Sequence, residues 1–148
     1  MTDLERILAI EAIKRVKSKY FYGLDHKDWD LWRREVFATD GKLIVPEVPI
    51  EIAGLENIIA WVSKSTADQV SVHHGHMPDI EITSRDAAVG VWAMEDRLYR
   101  TKQHPLEDGS IYLHGFGHYH ETYVRTSAGW RISSTRLTRL RVEASKVL

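Results

Sequence analysis

Three histidines fall within five positions in the stretch VHHGHMPDIEI, residues 72 to 82, and three more within LHGFGHYHETY, residues 113 to 123. Imidazole exchanges protons near neutral pH and also ligates metals, so this crowding points to acid–base or metal chemistry. On a strand, residues two apart share a face, which groups His74 and His76 with Ile80 and Ile82 and sends His73 and Gly75 the other way. Simple alternation therefore predicts His74 and His76 inside a one-sided sheet and His73 outside. Pro78 opposes this, because proline within a strand often accompanies a bulge that shifts the register by one, and the inward-facing set stays open. His114, His118 and His120 share one parity, with Glu121 on the other. The two that lie two residues apart, His118 and His120, together with His76 would offer three nitrogen ligands to zinc or iron. No obvious carboxylate completes such a set, and a solvated or pocket-lining strand has the same spacing. The expectation is no metal and no cofactor.

Carboxylates and one phenol narrow the chemistry. Asp25 closes the first amphipathic segment just after Gly23, and Asp96 shares its strand parity with Ala88, Gly90 and Trp92, which are small or apolar. A carboxylate among such neighbours must be paired or neutralised, and Arg139 near the chain's end is a partner for it. Tyr20 falls on the buried stripe of the first helix, where a phenol needs a hydrogen-bond partner. Tyr20, Asp25 and a sheet histidine together support one reaction type. The histidine removes a carbon-bound proton, the aspartate fixes its tautomer, and the tyrosine polarises a carbonyl or protonates a departing oxygen. The chain carries no Gly-rich phosphate loop, no G-x-S-x-G elbow and no H-E-x-x-H motif.

The elements that must position these groups are legible in the hydrophobic periodicity. Thr2 and Glu5 fit a capping box, and Ile10, Ile13, Val16, Tyr20 and Leu24 then form a helical stripe, with Glu11, Lys14, Lys17 and Ser18 expected in water. Asp28 caps a second helix expected to run to about Phe37 with Trp29, Trp32 and Val36 on its apolar side, closed by a turn at ATDG, residues 38 to 41. Short proline-bounded strands follow at 42–46 and 49–53, then a third helix over about 55–65. From residue 70 onward four strands are predicted, at 70–83, 86–100, 110–126 and 130–143, separated by turn chemistry. Helices first and a strand meander last is an α+β order, with a curved antiparallel sheet packed on a helical layer.

Composition bounds the rest. The chain has 148 residues, the size of one ordinary domain, so a single domain over 1–148 is expected. Twenty Lys and Arg balance 21 Asp and Glu, so no global field draws it to nucleic acid or to an anionic membrane. It contains no cysteine, which rules out disulfides and thiolate chemistry and suits a reducing cytoplasm. No stretch reads as a signal peptide or a membrane span.

Four stretches taken together resemble a known family: IEAIKRVKSKYFYGLDHKDWDLW, VHHGHMPDIEI, VGVWAMEDRLYR and HETYVRTSAGWRISSTRLTRLRVE. They look like the SnoaL-like branch of the nuclear-transport-factor-2-like superfamily, most closely its bile-acid 7-alpha-dehydratases and more distantly scytalone dehydratase and hexachlorocyclohexane dehydrochlorinase. The resemblance implies a cone of curved sheet closed by about three helices around a pocket. By it, Tyr20, Asp25 and His73 fall on catalytic positions, with His73 the general base, and Asp96 and Arg139 on further pocket positions. Trp92, His76 and His118 are expected to line the substrate space. The implied activity is a cofactor-independent lyase or isomerase acting on a small apolar, polycyclic or steroid-like carbonyl compound. A polyketide cyclase and a non-catalytic binding or assembly module are the other uses of the same fold. A one-sided curved sheet leaves an apolar outer face, so a homo-oligomer, dimer or trimer, is expected.

Overall fold

The computed structural model describes residues 1–147 and runs helix, helix, two strands, helix, four strands. The first helix, α1 (Asp3–His26), starts at the capping box: the Thr2 hydroxyl accepts the Glu5 N–H, and the Glu5 carboxylate accepts the Thr2 N–H at 2.7 Å. It ends where Lys27 adopts a left-handed conformation (φ 57°) and the Asp28 N–H returns to the Gly23 carbonyl. Asp25 therefore lies in its last turn. The second helical segment covers the span its apolar spacing predicts but is not α-helical throughout. A single turn, α2 (Trp29–Leu31), capped by Asp28, passes into a π-helical turn at Trp32–Val36. Strand β1 (Phe37–Val45) then begins at once, and the ATDG segment is absorbed into it as a register irregularity between Phe37 and Lys42 rather than forming a turn. Strand β2 (Ile50–Ala53) pairs back on β1, and α3 (Leu55–Ser65) buries Leu55, Ile58, Ile59 and Val62, the residues its 3.6-residue spacing puts on one side.

The long strands are β3 (Val70–Ile82), β4 (Ala87–Tyr99), β5 (Tyr112–Thr126) and β6 (Gly129–Ser145). All six strands form one curved sheet in the order β2-β1-β6-β5-β4-β3. The sheet is mixed rather than wholly antiparallel, since β1 runs parallel to β6 while every other pairing is antiparallel. Its inner face packs on α1 and α3 around Ile13, Tyr20, Trp32, Ile58, Trp92, Tyr119, Tyr123 and Ile132. Strand β3 is an edge strand, and α1 lies against it. Among the described residues no helix is long and apolar enough to cross a membrane.

One helical residue departs from its expected place. Lys17 is fully buried, not wet: its ammonium sits 2.6 Å from Glu121 Oε1 and 3.5 Å over the Tyr119 ring. Thr135 donates to the same oxygen, and the Tyr123 hydroxyl donates to the other. Both carboxylate oxygens are thus hydrogen-bonded, which is what a buried ion pair requires to survive desolvation. Burial pushes Lys17 down to about 8 despite the opposing charge of Glu121.

Candidate active site

The register of β3 decides which histidine faces inward. Its pairing with β4 runs without a break from Val70 to His76, slips, and resumes at Asp79 opposite Val91. Met77, at φ 30°, and Pro78 form that bulge. The bulge reverses the side-chain alternation, so Ser71, His73 and Gly75 share the inner face with Ile80 and Ile82. His74 and His76 are correspondingly exposed on the outer face, the opposite of what uninterrupted alternation predicts. Gly75 is where β3 meets the helix: a Cβ there would come within 2.7 Å of the Phe21 ring and 3.1 Å of Trp92.

Asp25 and β3 are tied by three hydrogen bonds. His73 Nδ1 lies 2.6 Å from Asp25 Oδ1, the Ser71 hydroxyl donates to that oxygen at 2.9 Å, and the His73 backbone N–H donates to Oδ2 at 3.0 Å. A carboxylate in the last turn of a helix faces an unfavourable dipole worth about 0.3–1 kcal/mol. Hydrogen bonds to a charged group contribute about 1.5–3 kcal/mol each, so the three donors outweigh the dipole and hold Asp25 in place. Because an ionised carboxylate only accepts, Nδ1 carries the proton of neutral His73 and Nε2 is left with its lone pair.

Nε2 looks toward the second carboxylate. It lies 3.9 Å from Asp96 Oδ2, the oxygen that also accepts from Arg139 Nη2 at 2.5 Å. Asp96 is 1% exposed, so the pairing with Arg139 expected from its apolar neighbours is present. Both partners retain unused capacity: Asp96 Oδ1 and Arg139 Nε are buried and have no hydrogen-bond partner among the described residues. They flank Gly115, where an added Cβ would overlap Asp96 Oδ1 and sit 2.7 Å from Arg139 Nε. The missing side chain keeps an acceptor and a donor open side by side.

The remaining predicted site residues divide. Trp92 lies on the inner face and donates to the Tyr123 hydroxyl at 2.9 Å. Tyr20 is buried in an aromatic cluster, stacked on Trp32 at 5.0 Å and edge-on to Tyr119 at 5.7 Å. Burial first, and then the Glu121 charge, push its phenol well above the ordinary range, so it keeps its proton. Among the described residues no hydrogen bond joins it to His73 or Asp25. His118 sits on the outer face of β5 opposite Ala93, and His76 on the outer face of β3, so neither shares the interior with His73. A groove of about 390 Å³ between α1 (Lys14, Ser18, Phe21) and β3 is lined by His73 and also by His74 and His76. A second groove of similar volume, about 390 Å³, near Asp79, His120 and Arg136, lies away from the dyad.

Three helices against one curved mixed sheet in this strand order is the nuclear-transport-factor-2-like cone architecture. Residues 5–136 match the model of the SnoaL-like domain, and the chain belongs to that family. Its fold is similar to the Kfla4162 protein of Kribbella flavida (22% identity, 93% of this chain and 95% of that one, TM-score 0.84). It is also similar to a hexachlorocyclohexane dehydrochlorinase, LinA-type3, of Novosphingobium barchaimii (17% identity, 99% and 97%, TM-score 0.83). A candidate scytalone dehydratase of Novosphingobium aromaticivorans shares the fold as well (17% identity, 99% and 97%, TM-score 0.81). At these identities the likeness concerns the fold.

Proposed function

We propose that the chain is a cofactor-independent lyase of the dehydratase type, or an isomerase using the same proton transfer, acting on an apolar carbonyl compound. The observation that carries this is the His73–Asp25 contact, with Nδ1 held 2.6 Å from the carboxylate and Nε2 left free. In the forward step His73 Nε2 takes the proton from the carbon next to the carbonyl. The C–H electrons form the new carbon–carbon double bond as the C–O bond to the β-hydroxyl breaks, and the departing oxygen takes the abstracted proton from the His73 imidazolium to leave as water. The imidazolium formed lies between two carboxylates, Asp25 at Nδ1 and Asp96 beyond Nε2, which stabilise the charge as it develops. Arg139 Nε and Asp96 Oδ1, buried and unpartnered, would orient the oxygens of the substrate. Tyr20, which stays protonated, is assigned to the departing or enolate oxygen. The elimination chemistry named for the dehydrochlorinase and the candidate dehydratase among the structural neighbours accords with this assignment.

The test is a panel of polycyclic and monocyclic β-hydroxy ketones and thioesters, followed by absorbance of the conjugated product and by α-proton exchange in D₂O. The wild-type chain should dehydrate or exchange at least one class, and His73→Ala should remove both activities. Compounds that bind stoichiometrically and undergo neither reaction would mark the chain as a passive binder instead.

A further inference from the structure

The outer face of the sheet carries the histidines that the dyad does not use. Across β3, β4 and β5 the pairing sets His74 beside Glu95, His76 beside Ala93, and Arg97 beside His114. One nitrogen each of His74 and His76 and one oxygen of Glu95 all lie within 4.8 Å of one another. We propose that His74, His76 and Glu95 form a binding site for a divalent first-row transition metal of the zinc class, on the side of β3 opposite His73. The two imidazoles and one carboxylate are the donor set such ions take, with water filling the open position.

The contacts around Glu95 are those of a prepared ligand. His114 Nε2 lies 3.0 Å and Arg97 Nη2 3.1 Å from Oε1, so both neighbours hold the same oxygen. The other oxygen, Oε2, takes no hydrogen bond among the described residues and faces His76 Nε2 at 3.9 Å. His114 thus acts as a positioning residue, fixing the carboxylate plane through one oxygen while the second is free to ligate. Neither the His74 ring nor the His76 ring makes a hydrogen bond among the described residues, so both are free to turn. Bonds of about 2.0–2.1 Å in a tetrahedral shell need donor separations of about 3.3 Å, which small rotations of two exposed rings supply. Arg97, the nearby cation, opposes the ion's charge, which places the site with open, modest-affinity ones rather than closed structural ones. Sequence spacing suggests a different set, His76 with His118 and His120. The carboxylate it lacked comes from the neighbouring strand and becomes visible only through the β3–β4 register.

The experiment is calorimetric titration of the full chain with Zn²⁺ at pH 7.5, paralleled by Co²⁺ with its visible absorption. The expected result is one equivalent bound by the wild type and none by the His74→Ala/His76→Ala double variant. His114→Ala, which removes only the orienting contact, should weaken binding about ten- to a hundredfold. All three side chains are at least partly exposed, and circular dichroism confirms that each variant is folded. Absence of stoichiometric binding in the wild type, or equal affinity in the double variant, overturns the proposal. So does loss of binding in a His118→Ala/His120→Ala variant with His74 and His76 intact. This site does not depend on the assignment of the dyad, and its titration is read without substrate.

Discussion

Replacing Asp25 by asparagine separates the role of its charge from the role of its shape. The carboxylate accepts three hydrogen bonds, two on Oδ1 and one on Oδ2. Asparagine has one oxygen and one NH₂, so it meets one of two conflicts. With its oxygen toward His73 Nδ1, the NH₂ confronts the backbone N–H of His73, leaving a largely buried donor unsatisfied at about 1–3 kcal/mol. With its oxygen toward that N–H, the NH₂ faces Nδ1, which must then become the acceptor. The imidazole proton moves to Nε2, and the lone pair that should meet the substrate is gone. The second arrangement keeps every hydrogen bond to the histidine, so it is the one expected. Stability should fall by only about 1–3 kcal/mol, whereas a histidine locked in the wrong tautomer loses about ten-thousandfold in rate. Imidazole ¹⁵N shifts report the tautomer without any substrate, and single-turnover elimination reports the rate. A variant that retains the Nδ1–H tautomer together with wild-type rates would refute the assignment of Asp25.

Other outcomes follow from the buried charges. Lys17→Met should destabilise the fold by about 3–5 kcal/mol in urea unfolding, because it strands the Glu121 carboxylate in the core, and adding Glu121→Gln should restore much of that loss. Lys17 is depressed to about 8, so between about pH 8 and its unfolded value of 10.5 the folded chain releases this proton before the unfolded chain does. The Lys17 contribution to stability should therefore rise with pH over that window, by about 3 kcal/mol at most, and this contribution should be missing in Lys17→Met. Above about pH 10 the sign reverses, because burial raises Tyr20, Tyr119 and Tyr123 and the unfolded chain ionises its phenols first. Thermal melts of the two proteins across pH 7 to 11 check both limbs.

Much of the architecture could be read before any coordinates. The capping box at Thr2 and Glu5, the apolar stripe of α3 and the four long strands are local signals, and they appear within a few residues of where spacing puts them. What escaped depends on partners distant in sequence. Lys17 reads as a solvated lysine until Glu121, 104 residues away, is brought beside it. The ATDG segment has turn composition, yet the residues on either side of it, Phe37 and Lys42, both pair with β6, so the segment between them is carried through as an irregularity in one strand. The histidine parity failed for a physical reason that the sequence does announce. Pro78 lies at the bulge, and the left-handed twist of Met77 turns one residue over. Alternation counted through that point puts His74 and His76 inside, whereas family resemblance points to His73, the residue the coordinates set against Asp25. Trp92 and the Asp96–Arg139 pair lie on the inner face as their strand neighbours imply, while His76 and His118 belong to the other side of the sheet.

The central claim is that the imidazole of His73 removes a carbon-bound proton. Its most direct measurement is the primary deuterium isotope effect on elimination from a substrate labelled at the carbon next to the carbonyl, for the wild type and for His73→Ala at matched fold stability. The account predicts a normal isotope effect in the wild type and a rate at least about a hundredfold lower in the variant. An unchanged rate in His73→Ala, with the same isotope effect, would contradict it.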